Sequence, residues 1–162
     1  MLYTSYFANI SKLPPLTIPI SIALKPLANW TGQQYTKVSP THEILWAWKN
    51  GHDETLYRQA YKQNVLAKLN ASNVVTDLES LFFNTLETWN MENLGNQMKQ
   101  QNLHIWDSRF YHVALLCYEK PEDFCHRHLV AQWLTENGYQ CTEYRNVQHA
   151  NTKPQHKYSL SF

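Results

Sequence analysis

Between Phe110 and Glu119 the chain carries a continuous apolar run centred on Val113-Ala-Leu-Leu116, and a helical pattern follows within a few residues. An unbroken rather than alternating run fits a strand buried on both faces, as in a parallel sheet. A helix over roughly 124–137 then places Leu129, Val130, Trp133 and Leu134 inward, and Gly138 stops it. This strand–turn–helix unit constrains the rest of the chain. A strand covered on both sides needs parallel neighbours and packing layers above and below it.

Upstream, residues 2–8 read as a first strand, and Ile18-Pro-Ile-Ser-Ile-Ala-Leu24 as a second, weakened at its start by Pro19. Ser39-Pro40 predicts a helix entry, with Ser as N-cap, running to Lys49 and ending at Asn50-Gly51. Asp53 caps a second helix over about 54–69, and Ser72 opens a third whose apolar face runs through Val74, Leu78, Phe82 and Leu86. Residues 90–109 are polar and amide-rich, which predicts an exposed insertion with one helical piece. Residues 139–147 form a last strand candidate, and 148–162 a polar tail. The expectation is a single α/β layered domain over 1–147, with a small, mostly parallel sheet of about four strands flanked by helices.

At 162 residues the chain suits one domain, and a net charge of +1 disfavours nucleic-acid binding by bulk electrostatics. Four glycines, with no GxGxxG or Walker pattern, argue against a Gly-rich phosphate loop. No window approaches the roughly 18 apolar residues of a membrane span. The start of the chain has no signal-peptide pattern, and three cysteines cannot make a full disulfide framework. A protein of a reducing cytoplasm is the expectation. Six Trp and ten Tyr provide either a well-filled core or a stacking surface.

The chemistry concentrates at Cys125-His-Arg-His128, where the last helix begins. A helix start leaves backbone N–H groups unpaired, which attracts anions and stabilises thiolates. Cys125 is the candidate nucleophile, His126 its partner, and Glu119, at the end of the strand, a candidate general base or hydroxyl acceptor. Arg127 offers a planar fork for phosphate or carboxylate. Tyr3, Ser5 and Tyr6 on the first strand, Lys25 after the second, and Arg58 and Tyr61 on the second helix are ligand-binding candidates on the same rim. Each has a plainer reading as a surface or core residue. Cys117 reads as a small buried hydrophobe. Arg127 lies two residues after Cys125, which does not match the Cys-x5-Arg loop of cysteine phosphatases. His128 lies at i+3 from Cys125, so a Cys/His pair is geometrically allowed, but further ligands would have to come from Cys117, Cys141 or a distant His. No metal or cofactor is assigned.

The segment Ala114 to Leu134 resembles the signature of the domain-of-unknown-function family 488, a strand ending in Leu-Leu-Cys-x-Glu followed by Cys-His-Arg at a helix start. Tyr3-Thr-Ser-Tyr-Phe7, Ile20-Ser-Ile-Ala23 and Tyr57-Arg-Gln-Ala-Tyr61 are similar to the family's opening strands and middle helix. Many members have an Arg after the second strand where this chain has Leu24-Lys25, which implies an altered anion contact. The resemblance brings no settled activity, but implies His126 is the steadier site group. Together these readings predict binding of a phosphate-bearing ligand such as a nucleotide, and leave open whether it is processed. The alternatives are a module or enzyme acting on single-stranded nucleic acid or a flipped base, and a protein-interaction or inhibitory module.

Overall fold

A computed structural model describes residues 1–145 apart from 90 and 110, and the side chain of residue 93. Five parallel strands form one sheet in the order β3-β2-β4-β1-β5: β1 is Leu2–Tyr6, β2 Thr17–Ser21, β3 Gln33–Gln34, β4 His112–Cys117 and β5 Cys141–Glu143. The helices are α1 (His42–Gly51), α2 (Glu54–Asn64), α3 (Ala71–Thr88), α4 (Glu92–Gln100) and α5 (His126–Glu136). The α/β expectation holds, and the sheet is wholly parallel. Among the described residues no helix is long and apolar enough to cross a membrane.

The strand order follows from chirality. The connections β1→β2→β3 run one way across the sheet, and β3→β4→β5 run the other way. Right-handed crossovers must therefore put the first pair on one face and the second pair on the opposite face. Packing agrees: Phe7 and Trp30 cover Ala114 and Leu116, while residues from α1 to α5 join Val113 and Leu115 in the larger core. Every residue of β4 is buried, so its unbroken apolar run serves two layers. A short 3-10 segment, Phe7–Lys12, does on one face what helices do on the other.

Pro19 sits inside β2 without breaking it. The Ile22 N–H bonds Leu116 O, whereas Ser21 O accepts from Tyr35 N–H. Alternation therefore turns the Pro19 nitrogen toward β3, which pairs only with Ile20 and Ser21, so no ladder bond is lost.

Helix boundaries depart from the sequence reading where a polar group is used elsewhere. Ser39 does not cap α1: its hydroxyl is buried and donates to Ile22 O (2.8 Å). Thr41 takes that role through Ile44 N–H, and His52, with φ 51°, ends the helix instead of Gly51. Asp53 caps α2 through Leu56 N–H as expected, but α2 stops at Asn64 and a 3-10 turn follows. Asn70, not Ser72, caps α3. The polar stretch 90–109 does carry a helix, α4, and it also sends Met98 and Ile105 into the core. The predicted tail, 148–162, lies outside the described residues.

Candidate functional site

The carboxyl ends of β2 and β4 are neighbours, but the chain leaves them over opposite faces of the sheet. Diverging connections open a crevice at such a switch point, the usual ligand position in open α/β sheets. Here the crevice is a cavity of about 1030 Å³. Ala23–Lys25 after β2, Cys117–Glu119 at the end of β4, and Phe124–His126 at the start of α5 form its floor. Residues of α1, with Tyr57 of α2, form its wall. Trp46, Trp48, Tyr57, Tyr118 and Phe124 make that lining strongly aromatic; Lys25, Lys49 and His42 add basic groups.

The floor is a compact cluster of proton-sharing groups. His126 Nε2 lies 3.0 Å from Ile22 O, a contact that requires the proton on Nε2 and turns Nδ1 toward the thiols. Cys117 Sγ and Cys125 Sγ lie 3.8 and 3.9 Å from Nδ1, and the Cys117 thiol is 3.4 Å from Glu119 Oε2. With Nε2–H given to Ile22, Nδ1 donates to a sulfur only as imidazolium, so thiolate–imidazolium and thiol–imidazole are the two proton arrangements.

Burial pushes the Cys125 thiol up, but hydrogen bonding from Cys117 and His126 and the positive charges of His126 and Arg127 outweigh it, holding Cys125 well below its ordinary value. Cys117 moves the other way: its hydrogen bond with Cys125, then burial, keep it protonated. Glu119 is raised, first by burial and then by the Cys125 charge. Of the two thiols, Cys125 is therefore the one whose surroundings favour the thiolate.

Of the candidates read from sequence, the structure brings Lys25, Glu119, Cys125 and His126 together on the cavity. Arg127 is elsewhere. Its guanidinium is fully buried and grips Glu143 through Nε and Nη2 (3.0–3.2 Å). Glu143 also accepts from Thr4 Oγ1 (2.6 Å) and faces His128 Nε2 at 3.7 Å. Nε and Nη2 are engaged by Glu143 of β5, Nη1 is buried with no hydrogen-bond partner among the described residues, and the guanidinium charge also acts on Cys125. Tyr61 is buried behind His126, with ring centroids 5.6 Å apart, and donates to Val38 O. Arg58 pairs with Glu54 and lies over the Phe124 ring, 4.9 Å from its centroid. Tyr3 packs on His112 and Tyr144, and Ser5 is buried, accepting from Asn9. Tyr6, half-buried at the end of β1, is paired in register with Cys117.

Sequence reasoning missed five residues. Cys117, read as packing, is a thiol partner of Cys125. Trp46, Trp48 and Lys49 of α1 line the cavity; the Trp-Ala-Trp spacing on a short amphipathic helix was the available signal. Glu143 had no local signal, because its role depends on β5 lying beside β1.

Fold and site together define a single-layered-sheet α/β protein with a thiol–imidazole cluster at its switch point. The family DUF488-N3a, described as the active DUF488-N3 subclade, matches residues 88–138. The likeness to the domain-of-unknown-function family 488 therefore holds over the segment carrying Cys117, Glu119, Cys125, His126 and Arg127. No curated protein and no solved structure gives a significant match.

Proposed function

We propose that this protein binds, and through Cys125 acts on, a phosphate-bearing ligand with an aromatic base, such as a nucleotide. The observation that carries this is a crevice of about 1030 Å³ that combines aromatic walls, lysines and an ionisable thiol–imidazole floor. A cavity of that size encloses a nucleotide-sized molecule. Trp46 and Trp48 offer faces for stacking, and Glu119 can accept a sugar hydroxyl. Phosphate would be held by Lys25 and Lys49, which line the cavity, and not by Arg127, which does not line it and whose Nε and Nη2 are engaged by Glu143. Three free thiols suit a reducing cytoplasm.

Thermal denaturation with a panel of nucleoside mono-, di- and triphosphates tests the reading, since a ligand that binds only the folded state raises Tm by mass action. At least one should stabilise the chain, and Lys25→Ala should weaken that stabilisation. If no phosphorylated ligand raises Tm, the reading fails. Trp46, 70% exposed at the rim, favours one second reading, in which the base belongs to a single strand. Binding of a single-stranded oligonucleotide that falls steeply with salt would select it.

A further inference from the structure

The floor of the cavity also has the donor set of a metal site. The Cys117 and Cys125 sulfurs and His126 Nδ1 all lie within 4.8 Å of one another, with both S···N separations below 4 Å. Around a tetrahedral zinc ion, bonds of about 2.3 Å to sulfur and 2.0–2.1 Å to nitrogen place such donors about 3.5–3.8 Å apart. The ring is already oriented as a ligand. Its Nε2–H bonds the Ile22 carbonyl, which directs the Nδ1 lone pair at the sulfurs, the outer-shell arrangement of metal-bound imidazoles. Two thiolates and an imidazole select a soft or borderline ion over magnesium or calcium.

We propose that Cys117 Sγ, Cys125 Sγ and His126 Nδ1 bind one zinc-class divalent ion, with its fourth position toward the cavity. Glu119 Oε2, 3.4 Å from Cys117 Sγ, is placed to close that position or to yield it to a ligand. Three protein donors plus an exchangeable fourth is the pattern of catalytic rather than structural zinc. Binding releases two protons, whether the free cluster holds two thiols and a neutral imidazole or one thiol, one thiolate and an imidazolium. The site does not depend on the nucleotide reading. With the ion bound, Cys125 is a ligand and the cavity floor presents a Lewis acid, so the nucleophilic role of Cys125 belongs to the metal-free protein, while nucleotide binding is common to both.

The test uses the full chain, reduced with a phosphine, stripped with a chelator and titrated with Co2+ as a spectroscopic probe. One equivalent should develop the intense visible bands of tetrahedral thiolate-bound cobalt, and Zn2+ should abolish them. Cys117→Ser and Cys125→Ser should each lose the bands or weaken binding by about tenfold or more, while Cys141→Ser, whose thiol lies outside the cluster, should retain them. Should the first two variants fail to fold, the unmutated chain still decides: Zn2+ should protect Cys125 from iodoacetamide. Absence of thiolate bands, or undiminished labelling of Cys125 under saturating Zn2+, overturns the site. Nucleotide stabilisation of the stripped protein is measured separately, so either proposal can fail alone.

Discussion

His126 and Arg127 are consecutive residues on the first turn of α5, yet their side chains take different partners. His126 turns toward β2 and the crevice, where it meets two thiols and an aromatic wall. Arg127, rotated by about 100° around the helix, turns toward β5 and pairs with Glu143, which Thr4 and His128 also approach. The first side is ionisable and opens onto a cavity. The second is a buried ion pair with little freedom. A reactive helix start therefore need not use every reactive residue in it: one residue holds the chemistry and its neighbour fixes the helix to the sheet edge.

Arg127→Ala separates the two sides most sharply. It leaves the partly buried Glu143 without its cation, and the loss should approach the about 3–5 kcal/mol that breaking a fully buried pair costs. Urea denaturation should show that loss as a lower midpoint. Replacing both partners, Arg127→Met with Glu143→Met, should recover most of it, because the uncompensated charge is gone. An Arg127→Ala protein of native stability that fails only to bind ligand would reverse the assignment and return Arg127 to the site.

Tyr61→Phe probes the support behind His126. The hydroxyl donates to Val38 O in the core, and leaving that carbonyl unpaired costs about 1–3 kcal/mol. Because Tyr61 packs on the His126 ring without entering the cavity, nucleotide binding per folded molecule should persist. A loss of binding at full stability would show that the cavity extends to Tyr61.

The local parts of this arrangement were legible in the sequence. β4 and α5 are written in consecutive residues by an apolar run, a turn and a helical period, and Asp53 caps α2 with a side chain that has no competing partner. What escaped depends on residues far apart in the chain. Ser39 looks like a cap until Ile22 O arrives from β2 to take its hydroxyl. The amide-rich 90–109 stretch looks exposed, but two apolar residues, Met98 and Ile105, decide its packing. Arg127 looks like an anion grip because a sequence gives the order of residues around a helix and not which neighbour each direction will meet.

Acid titration probes a third region, a surface ion pair. Asp77 on α3 accepts from Lys37 Nζ (2.7 Å) and Tyr35 Oη (2.6 Å), and these bonds, Lys37 first, hold its carboxyl below the ordinary value. A carboxyl depressed in the folded state adds stability above the ordinary carboxylate range near about pH 4, and that stability is lost as pH falls through the folded value. The pair is largely solvated, so the contribution should be about 1 kcal/mol or less. In Asp77→Asn the acid limb of the stability profile should flatten by that amount, with the cavity untouched. An unchanged acid limb would mean the pair is too screened to matter.

The smallest effect on stability should come from the cavity wall, at Trp46. Its side chain projects from α1, and removing a residue that is 70% exposed should change the folding free energy by no more than about 0.5 kcal/mol. Binding should respond differently. Stacking of one base on an aromatic ring is worth about 1–3 kcal/mol, so Trp46→Ala should weaken a base-bearing ligand by about 5- to 150-fold while leaving inorganic phosphate unaffected. Titration calorimetry with a nucleotide and with phosphate reads both numbers on one variant. Equal weakening of the two would place Trp46 in the shape of the whole cavity and not against a base. No weakening of either would remove α1 from the ligand's contacts and leave recognition to the floor.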